Sequence, residues 1–278
     1  MPEVPEVQAH AERLDEGYAG ATLAKFRPIS FTALKTFAPD PAQAAGQSLV
    51  FVGRRGKHLL LDFGTVTFVV HLMQGGRIVP DTKQALKPRG GVARWVFDDG
   101  RALLLTEAGT EHKAGVWVVE GDPETQPPLD ELGPDAELLD PPALLALLHE
   151  HPMRLHGFLR DQRILAGLGR RLANEICHRA KLSPFAGTAK LEAVDAANLV
   201  EAIRVGVNEG LAYERGRDDM SKSKERPGNV HGRAGEACPV CGDIVRSVEY
   251  TRYRVDYCAT CQTGGKVLAD NTTSKFLK

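Results

Sequence analysis

The spacing of apolar residues divides the chain into a helical start, a β-rich part and a second helical part. Residues 5–19 are predicted to form a helix, because apolar residues recur there at steps of three and four and Pro5 suits a first helical turn. Short apolar runs separated by tight turns then favour β-strands at 49–52, 58–63, 66–73, 94–97, 102–105 and 115–119. This pattern is typical of an antiparallel sandwich or barrel.

Helical periodicity returns after a segment rich in proline and acidic residues. Residues 120–142 are predicted to form a linker. Helices are predicted from Leu144, over 154–160, over 170–180 and over 194–213, where apolar residues recur at i+4 positions. Residues 221–229 are polar and basic and are predicted to be a connection.

Composition places the 278-residue chain among soluble globular proteins, with 42% hydrophobic and 26% charged residues. It contains no apolar run of about 20 residues and no secretory signal, so we expect a cytoplasmic protein without a membrane span. The net charge is −1, but residues 120–140 hold eight acids and no Lys or Arg, whereas residues 152–190 hold eight Lys or Arg and two acids. This asymmetry indicates an acidic linker followed by a basic face, or simply two solvated surfaces.

Four of the five cysteines form two CxxC pairs near the carboxyl end. Cys238 and Cys241 are separated from Cys258 and Cys261 by sixteen residues, in which 244–248 and 250–257 are predicted strands of a hairpin. Four thiolates suit one tetrahedral Zn²⁺, and a closed set of protein ligands indicates a structural ion. Two disulfides or an iron–sulfur cluster are the alternatives. The fifth cysteine, Cys177, is expected in the core.

Three motifs occur in an order typical of one family. Residues 1–7 read MPEVPEV, residues 167–169 read GLG before a helix that contains Asn174 and Glu175, and the cysteine hairpin is followed by Gln262. On these motifs the chain resembles the formamidopyrimidine-DNA glycosylase and endonuclease VIII family over nearly its whole length. The resemblance implies an α+β multidomain fold with an N-terminal helix plus antiparallel β-sandwich, a helix–two-turn–helix domain and a C-terminal zinc β-hairpin.

The implied domain boundaries follow the changes in periodicity. We expect a catalytic β-sandwich domain over 1–120, an acidic linker over 121–141, a helix–two-turn–helix domain over 142–226, a zinc hairpin over 229–263 and a tail over 264–278.

The resemblance also implies the chemistry. Removal of Met1 would free the secondary amine of Pro2, which attacks C1′ of a damaged nucleotide; Glu3 moves protons at the sugar, and Lys57 contacts phosphate near the lesion. From the dipeptide alone, Pro2-Glu3 is an ordinary chain start, and Lys57 alone is a solvated turn lysine. Glu6 matches a family acid near the pocket, or is a first-turn helix acid. His71 is predicted to be a core histidine rather than a catalyst.

Several positions depart from the family pattern. Residues 71–76 read HLMQGG where many members have HLGMSG, so Gln74 stands at the position of the methionine that fills the space of the extruded base. The arginine and phenylalanine of the second wedge loop are missing from residues 106–113. Arg170 replaces an asparagine, His156 replaces a lysine, and Tyr253 stands where a phosphate-binding arginine is usual.

Taken together, the motifs predict a base-excision-repair glycosylase with abasic-site lyase activity, acting as a monomer on damaged double-stranded DNA near the bacterial nucleoid. The alternative is a non-catalytic paralogue that senses damage or abasic sites. One structural zinc ion is the expected cofactor. The residues expected to contact DNA are all arginines: Arg54, Arg154, Arg170, Arg171, Arg252 and Arg254.

Overall fold

A computed structural model describes residues 1–109, 113–221, 225–251 and 253–268. The chain forms two compact units. The first consists of Met1–Leu132 with Glu214–Met220, and the second of the described residues in Gly133–Tyr213 and Ser221–Lys278.

The first unit begins with helix α1, Val4–Tyr18, followed by eight strands. The strands are β1 Leu23–Pro28, β2 Phe51–Arg55, β3 His58–Asp62, β4 Thr67–His71, β5 Gly76–Pro80, β6 Gly91–Phe97, β7 Ala102–Glu107 and β8 Gly115–Val119. They form two antiparallel four-stranded sheets with the orders β1-β6-β7-β5 and β2-β3-β4-β8. The predicted helix and antiparallel β-architecture are confirmed.

The core of this unit follows from the alternation of side chains along the strands. In β3, Leu59 and Leu61 belong to the main core, which also contains Phe68 and Trp95, whereas Leu60 points to the opposite face. Successive strand residues point to opposite faces, so a run of three leucines serves both sides of its sheet. The face opposite the main core is covered in part by Leu129, which lies in the segment predicted as a linker.

Strands β1 and β5 were not predicted from the sequence. They are the two edge strands of the sheet β1-β6-β7-β5, and each ends at a proline, Pro28 or Pro80. Proline has no N–H to donate to a neighbouring strand and is tolerated in edge strands. It therefore interrupts the apolar alternation by which a strand is predicted, although the strand still pairs on its other side.

An ion pair lies inside the first unit. The Arg94 guanidinium contacts the Asp81 carboxylate at 2.7 Å, their side chains are 1% and 9% exposed, and Arg94 also donates to the Ala85 carbonyl. Loss of one partner would leave the other charge buried without compensation.

We therefore expect Asp81→Ala to lower the free energy of unfolding by about 3–5 kcal/mol. Asp99→Ala is the matched control, because the Arg101–Asp99 pair is 48% and 43% exposed. Urea unfolding followed by circular dichroism measures both. An equal decrease in the free energy of unfolding for the two variants would contradict the claim that the buried ion pair contributes more to stability than the exposed one.

The second unit is helical and ends in a β-hairpin. Its helices are α2 Pro141–Glu150, α3 Leu155–Phe158, α4 Arg170–Arg179, α5 Ala193–Arg215, whose last two residues belong to the first unit, and α6 Ala259–Thr263. The hairpin consists of β9 Val245–Tyr250 and β10 Tyr253–Cys258. Short 3₁₀ helices occupy Pro41–Ala44, Pro123–Thr125, Ala136–Leu138 and Thr188–Lys190. Within the described residues, no helix is both long and apolar enough to cross a membrane.

Candidate active site and metal centre

The start of α1 holds Pro2 and Glu3 in fixed positions. Both are buried, and Glu3 is the residue that caps the helix. The Glu3 backbone N–H donates to the Glu6 carboxylate at 2.9 Å, and Pro5 occupies the first turn, where no donor is lost. The sequence therefore fixes the backbone beside the chain terminus.

Two hydrogen bonds define the direction of β2 relative to α1. The Asp15 carboxylate accepts from the Val52 backbone N–H at 2.7 Å, and the Gln8 amide oxygen accepts from Arg54 Nε at 3.0 Å. The earlier helix residue, Gln8, is bonded to the later strand residue, Arg54, and the later helix residue, Asp15, to the earlier strand residue, Val52. The helix and the strand therefore run antiparallel. The turn that carries Lys57 consequently lies at the same end as the start of the helix.

Lys57 is placed by a two-residue hairpin turn between β2 and β3. Arg55 pairs with His58 across the turn, and Gly56 has a φ of +54°, a left-handed conformation that glycine adopts without strain. Lys57 is only 5% exposed. The turn thus directs a lysine inward, in contrast to the solvated lysine expected from an isolated turn.

His71, at the end of β4, lies in the same electrostatic environment. Burial lowers the pKa of His71 to about 4, and the positive charges of Lys57 and the amino terminus act in the same direction. His71 Nδ1 accepts from the Met73 backbone N–H at 2.9 Å, so the proton of the neutral ring is on Nε2. The amino terminus, Lys57 and His71 therefore lie close enough to interact.

Four histidines, three of them buried and one, His71, half-buried, are expected to make the protein sensitive to acid. Burial lowers the pKa of each, to about 4 for His71 and to about 3 for His10, His58 and His156. Between pH 6.5 and about 4 the unfolded chain binds more protons than the folded chain, so stability decreases as the pH falls.

His10→Leu is expected to reduce this dependence by about 1.4 kcal/mol per pH unit, because it removes one such group. Unfolding in urea at several pH values between 4.5 and 7.5 measures the slope. His149→Leu, at an exposed position, is the control. An unchanged slope for His10→Leu would show that this histidine is not the source.

The two loops that differ from the family pattern pack against each other. The Ala108 N–H donates to the Gly75 carbonyl at 3.1 Å, and a Cβ on Gly75 would clash with the Ala108 carbonyl. Gln74, between Met73 and this contact, is exposed. Residues 110–112 of the second loop lie outside the described part of the chain.

Arg154 lies beside the tip of the cysteine hairpin. Its guanidinium donates to the Tyr250 hydroxyl at 3.1 Å, and Arg160 lies 4.4 Å from the centre of the Tyr253 ring. Tyr253 stacks on Tyr250 at 4.7 Å and, more distantly, on His156 at 6.1 Å. Cationic and aromatic side chains therefore alternate at the hairpin tip.

Arg170 and Arg171 begin α4 but have different environments. Arg170 is half-buried, whereas Arg171 is 4% exposed and donates to the carbonyls of Arg226 and Pro227. Glu175, one turn later, accepts from the backbone N–H groups of residues 229–231 at 2.8–3.0 Å. Arg171 and Glu175 thus hold the connection before the cysteine hairpin.

The other predicted DNA contacts are also in different settings. Arg54 is half-buried and bonded to Gln8, while Arg254 is 45% exposed and lies 3.3 Å from the buried Asp256 carboxylate. Arg252 lies outside the described residues.

The four predicted cysteine ligands come together at the base of the hairpin. The sulfurs of Cys238 and Cys261 are 3.9 Å apart, and those of Cys241 and Cys258 are 3.4 Å apart. Metal–sulfur bonds of about 2.3 Å in a tetrahedron give sulfur separations near about 3.8 Å. The 3.9 Å separation is close to this value and the 3.4 Å separation is shorter, so each pair of sulfurs is close enough to share one ion.

Metal binding would have to deprotonate two thiols that burial keeps protonated. Burial raises the pKa of Cys258 to about 11, and it raises the pKa of Cys261 as well. Both side chains would stay protonated at neutral pH without a positive charge to stabilise the thiolates.

One further residue belongs to this cluster and was missed in the sequence. The ligand atoms of His178, Cys238, Cys258 and Cys261 all lie within 4.8 Å of one another. His178 is in α4, 60 residues before Cys238. It was missed because a single histidine on a helix has no sequence spacing that marks it as a metal ligand.

Comparison with known proteins agrees with this arrangement. The family model described as the formamidopyrimidine-DNA glycosylase N-terminal domain matches residues 1–109. The formamidopyrimidine-DNA glycosylase of Chloroflexus aurantiacus is 30% identical over 94% of this chain and 98% of its own length. An uncharacterized formamidopyrimidine-DNA glycosylase-like protein of Mycobacterium tuberculosis is 41% identical, over 53% of this chain and 94% of its own.

Solved structures share the fold. The MutM (Fpg) protein of Thermus thermophilus has a TM-score of 0.81 and 28% identity, covering 96% of this chain and 100% of its own. Lactococcus lactis Fpg in complex with abasic-site DNA has a TM-score of 0.83 at 19% identity, covering 94% and 99%, which shows similarity of fold.

The chain begins with a helix and two antiparallel sheets, continues with helices and ends in a cysteine hairpin. This is the architecture of the DNA-repair glycosylases that carry a C-terminal zinc finger. Within this class, the chain belongs to the formamidopyrimidine-DNA glycosylase family.

Proposed function

We propose that this protein is a base-excision-repair glycosylase that removes oxidised or ring-opened bases and then cleaves the strand at the abasic site by β-elimination. The observation that carries the proposal is that buried Glu3 and Lys57 lie at the end of α1 next to Pro2, with His71 within reach of the charges of Lys57 and of the amino group of Met1. Membership of the family supports the same reaction class.

The reaction begins at the nitrogen of Pro2 once Met1 has been removed. An α-amino group titrates near about pH 8, so a useful fraction is neutral and nucleophilic at neutral pH. Attack on C1′ forms the C1′–N bond and breaks the bond to the damaged base, which leaves with the electron pair and takes up the proton that the amine loses. The nitrogen lone pair then breaks the C1′–O4′ bond and opens the sugar to an iminium. The Glu3 carboxyl supplies a proton to the ring oxygen.

The iminium then makes strand cleavage possible. Its positive nitrogen withdraws electrons from C2′, so a C2′ proton can be removed and the 3′ phosphate leaves. Lys57 holds a phosphate near the lesion and keeps the strand in place.

The proposed substrate is damaged double-stranded DNA, bound by the protein as a monomer. Arg54, Arg154, Arg170 and Arg254 are the proposed phosphate contacts, so affinity should fall steeply with salt. The Arg171 guanidinium is instead assigned to the Arg226 and Pro227 carbonyls, because it is buried. The proposed metal is one structural Zn²⁺ at Cys238, Cys241, Cys258 and Cys261, since four sulfur ligands leave no open position for catalysis.

A second candidate is a non-catalytic sensor of damage or abasic sites. It is favoured by the stacking of His156 with Tyr253, two positions where family members have cations. Burial lowers the pKa of His156 to about 3, so this side chain is neutral when the protein meets DNA.

Borohydride trapping separates the two candidates. The zinc-loaded full chain is incubated with duplexes that carry an abasic site, an oxidised purine or an oxidised pyrimidine, and the iminium is reduced to a stable amine. A covalent complex on at least one duplex supports the enzyme and identifies the lesion class. Binding to abasic DNA without a covalent complex on any duplex would overturn the enzyme and support the sensor.

A further inference from the structure

The metal centre is built from two separate parts of the chain. The cysteines lie in the turn before β9, at the end of β10 and in α6, whereas His178 comes from α4, the helix that follows the GLG motif. This helix packs against β10 and α6, and His178 is 3% exposed. Its Nε2 atom lies 3.4 Å from the sulfur of Cys238.

We propose that His178 Nε2–H donates a hydrogen bond to the metal-bound thiolate of Cys238, and that this bond keeps the metal in place and joins α4 to the cysteine hairpin. The inference rests on the zinc site proposed above. It does not depend on glycosylase activity.

The position of the proton follows from the partners of the ring. His178 Nδ1 is buried and has no hydrogen-bond partner among the described residues, whereas Nε2 faces sulfur. A metal-bound thiolate has no proton to give, so the ring must be the donor, and the proton is on Nε2.

Ligation by His178 in place of a cysteine is the competing role. The sulfur of Cys241 lies 3.4 Å from that of Cys258, so Cys241 also reaches this group, although the set whose ligand atoms all lie within 4.8 Å of one another consists of His178, Cys238, Cys258 and Cys261. With the four cysteines as ligands, as proposed above, the coordination is complete and His178 is left in the outer shell. A hydrogen bond there lowers the negative charge on sulfur and fixes its direction.

The test compares the zinc-loaded full chain with His178→Phe, which keeps an aromatic ring but has no donor, and His178→Gln, which restores an N–H. Zinc release to a chromogenic chelator is expected to be at least about tenfold faster in His178→Phe, and closer to wild type in His178→Gln. Phe185→Leu, which changes packing against the hairpin without a polar group, is the control. Equal release from wild type and His178→Phe would overturn the proposal.

Cobalt substitution tests the competing role. The ligand-field absorption of the Co²⁺ form should be that of four sulfurs in wild type and in His178→Phe. A three-sulfur, one-nitrogen spectrum in wild type that is lost in the variant would make His178 a ligand and overturn the hydrogen bond.

The wild-type protein also provides a test that needs no variant. In the ¹⁵N-histidine spectrum of the Cd²⁺ form, His178 should have a protonated Nε2 and an unprotonated Nδ1, and the opposite assignment would overturn the proposal. A chain that binds none of these metals would overturn the zinc site and this inference together. A chain that binds zinc but traps no DNA would overturn only the proposed enzyme.

Discussion

Loss of the free Pro2 nitrogen is expected to abolish both base removal and strand cleavage. A chain with an uncleaved extension ahead of Pro2 has this nitrogen in an amide, which has no nucleophilic lone pair, so no iminium can form. Pro2→Gly keeps a free terminus but replaces the secondary amine by a primary one. Its imine must be protonated before elimination, and we expect a rate at least about a hundredfold lower, about 2.7 kcal/mol in the barrier.

The measurement is single-turnover cleavage of the duplex that gives the trapped complex, with mass spectrometry to establish the terminal residue of each preparation. Pro41→Gly is the matched control, because it replaces a proline of a short 3₁₀ helix in the same unit, away from the amino terminus. Cleavage by the extended chain at the wild-type rate would exclude Pro2 as the nucleophile. Wild-type affinity for abasic DNA in the extended chain would show that binding and chemistry are separate.

Local pattern predicted much of the fold, because helical periodicity and strand alternation are properties of short segments. Helix α1, the strands from β2 to β4 and the hairpin β9–β10 follow from this. Strand β1 was missed because its six residues contain only two large apolar side chains, Leu23 and Phe26, and end in a proline. Strand β1 is placed by its pairing with β6, in which Phe26 lies opposite Trp95. The two residues are about seventy positions apart in the sequence, so no local pattern predicts the pairing.

The candidate site shows the same limit. The Pro-Glu motif and the CxxC pairs carry signals in their spacing, so they could be found without coordinates. The electrostatic contact of His71 with Lys57 and the approach of His178 to Cys238 depend on tertiary packing. For Arg171 the sequence predicted a phosphate contact, because a basic residue stands at the start of a helix. In the structure its guanidinium donates to two backbone carbonyls.

Loss of the metal is expected to unfold the hairpin and remove DNA binding, while the first unit remains folded. The apolar cluster around the ligands contains only Val230, Val245, Cys238 and Cys258 as buried members, with Cys261 packed against them. Three of these five residues are proposed ligands, so loss of the metal would remove most of this cluster and leave the hairpin with the cluster around Val248 and Tyr257. Structural zinc contributes about 10–16 kcal/mol of binding free energy in small zinc peptides, and here that energy would serve to order the hairpin.

Cys258→Ser is the decisive variant, because Cys258 is fully buried and lies between the hairpin strand and α6. We expect its metal content to fall from one ion per chain to near zero and its affinity for abasic DNA to fall at least about a hundredfold. Cys177→Ala is the control. Its side chain is also buried, and burial raises the pKa of this thiol, but it is outside the cluster of ligand atoms. Elemental analysis measures the metal content, filter binding measures the DNA affinity, and thermal unfolding measures the loss of the folded hairpin. Retention of one zinc ion by Cys258→Ser would mean that the remaining cysteines and His178 can bind the metal without it, and would contradict the closed four-sulfur site.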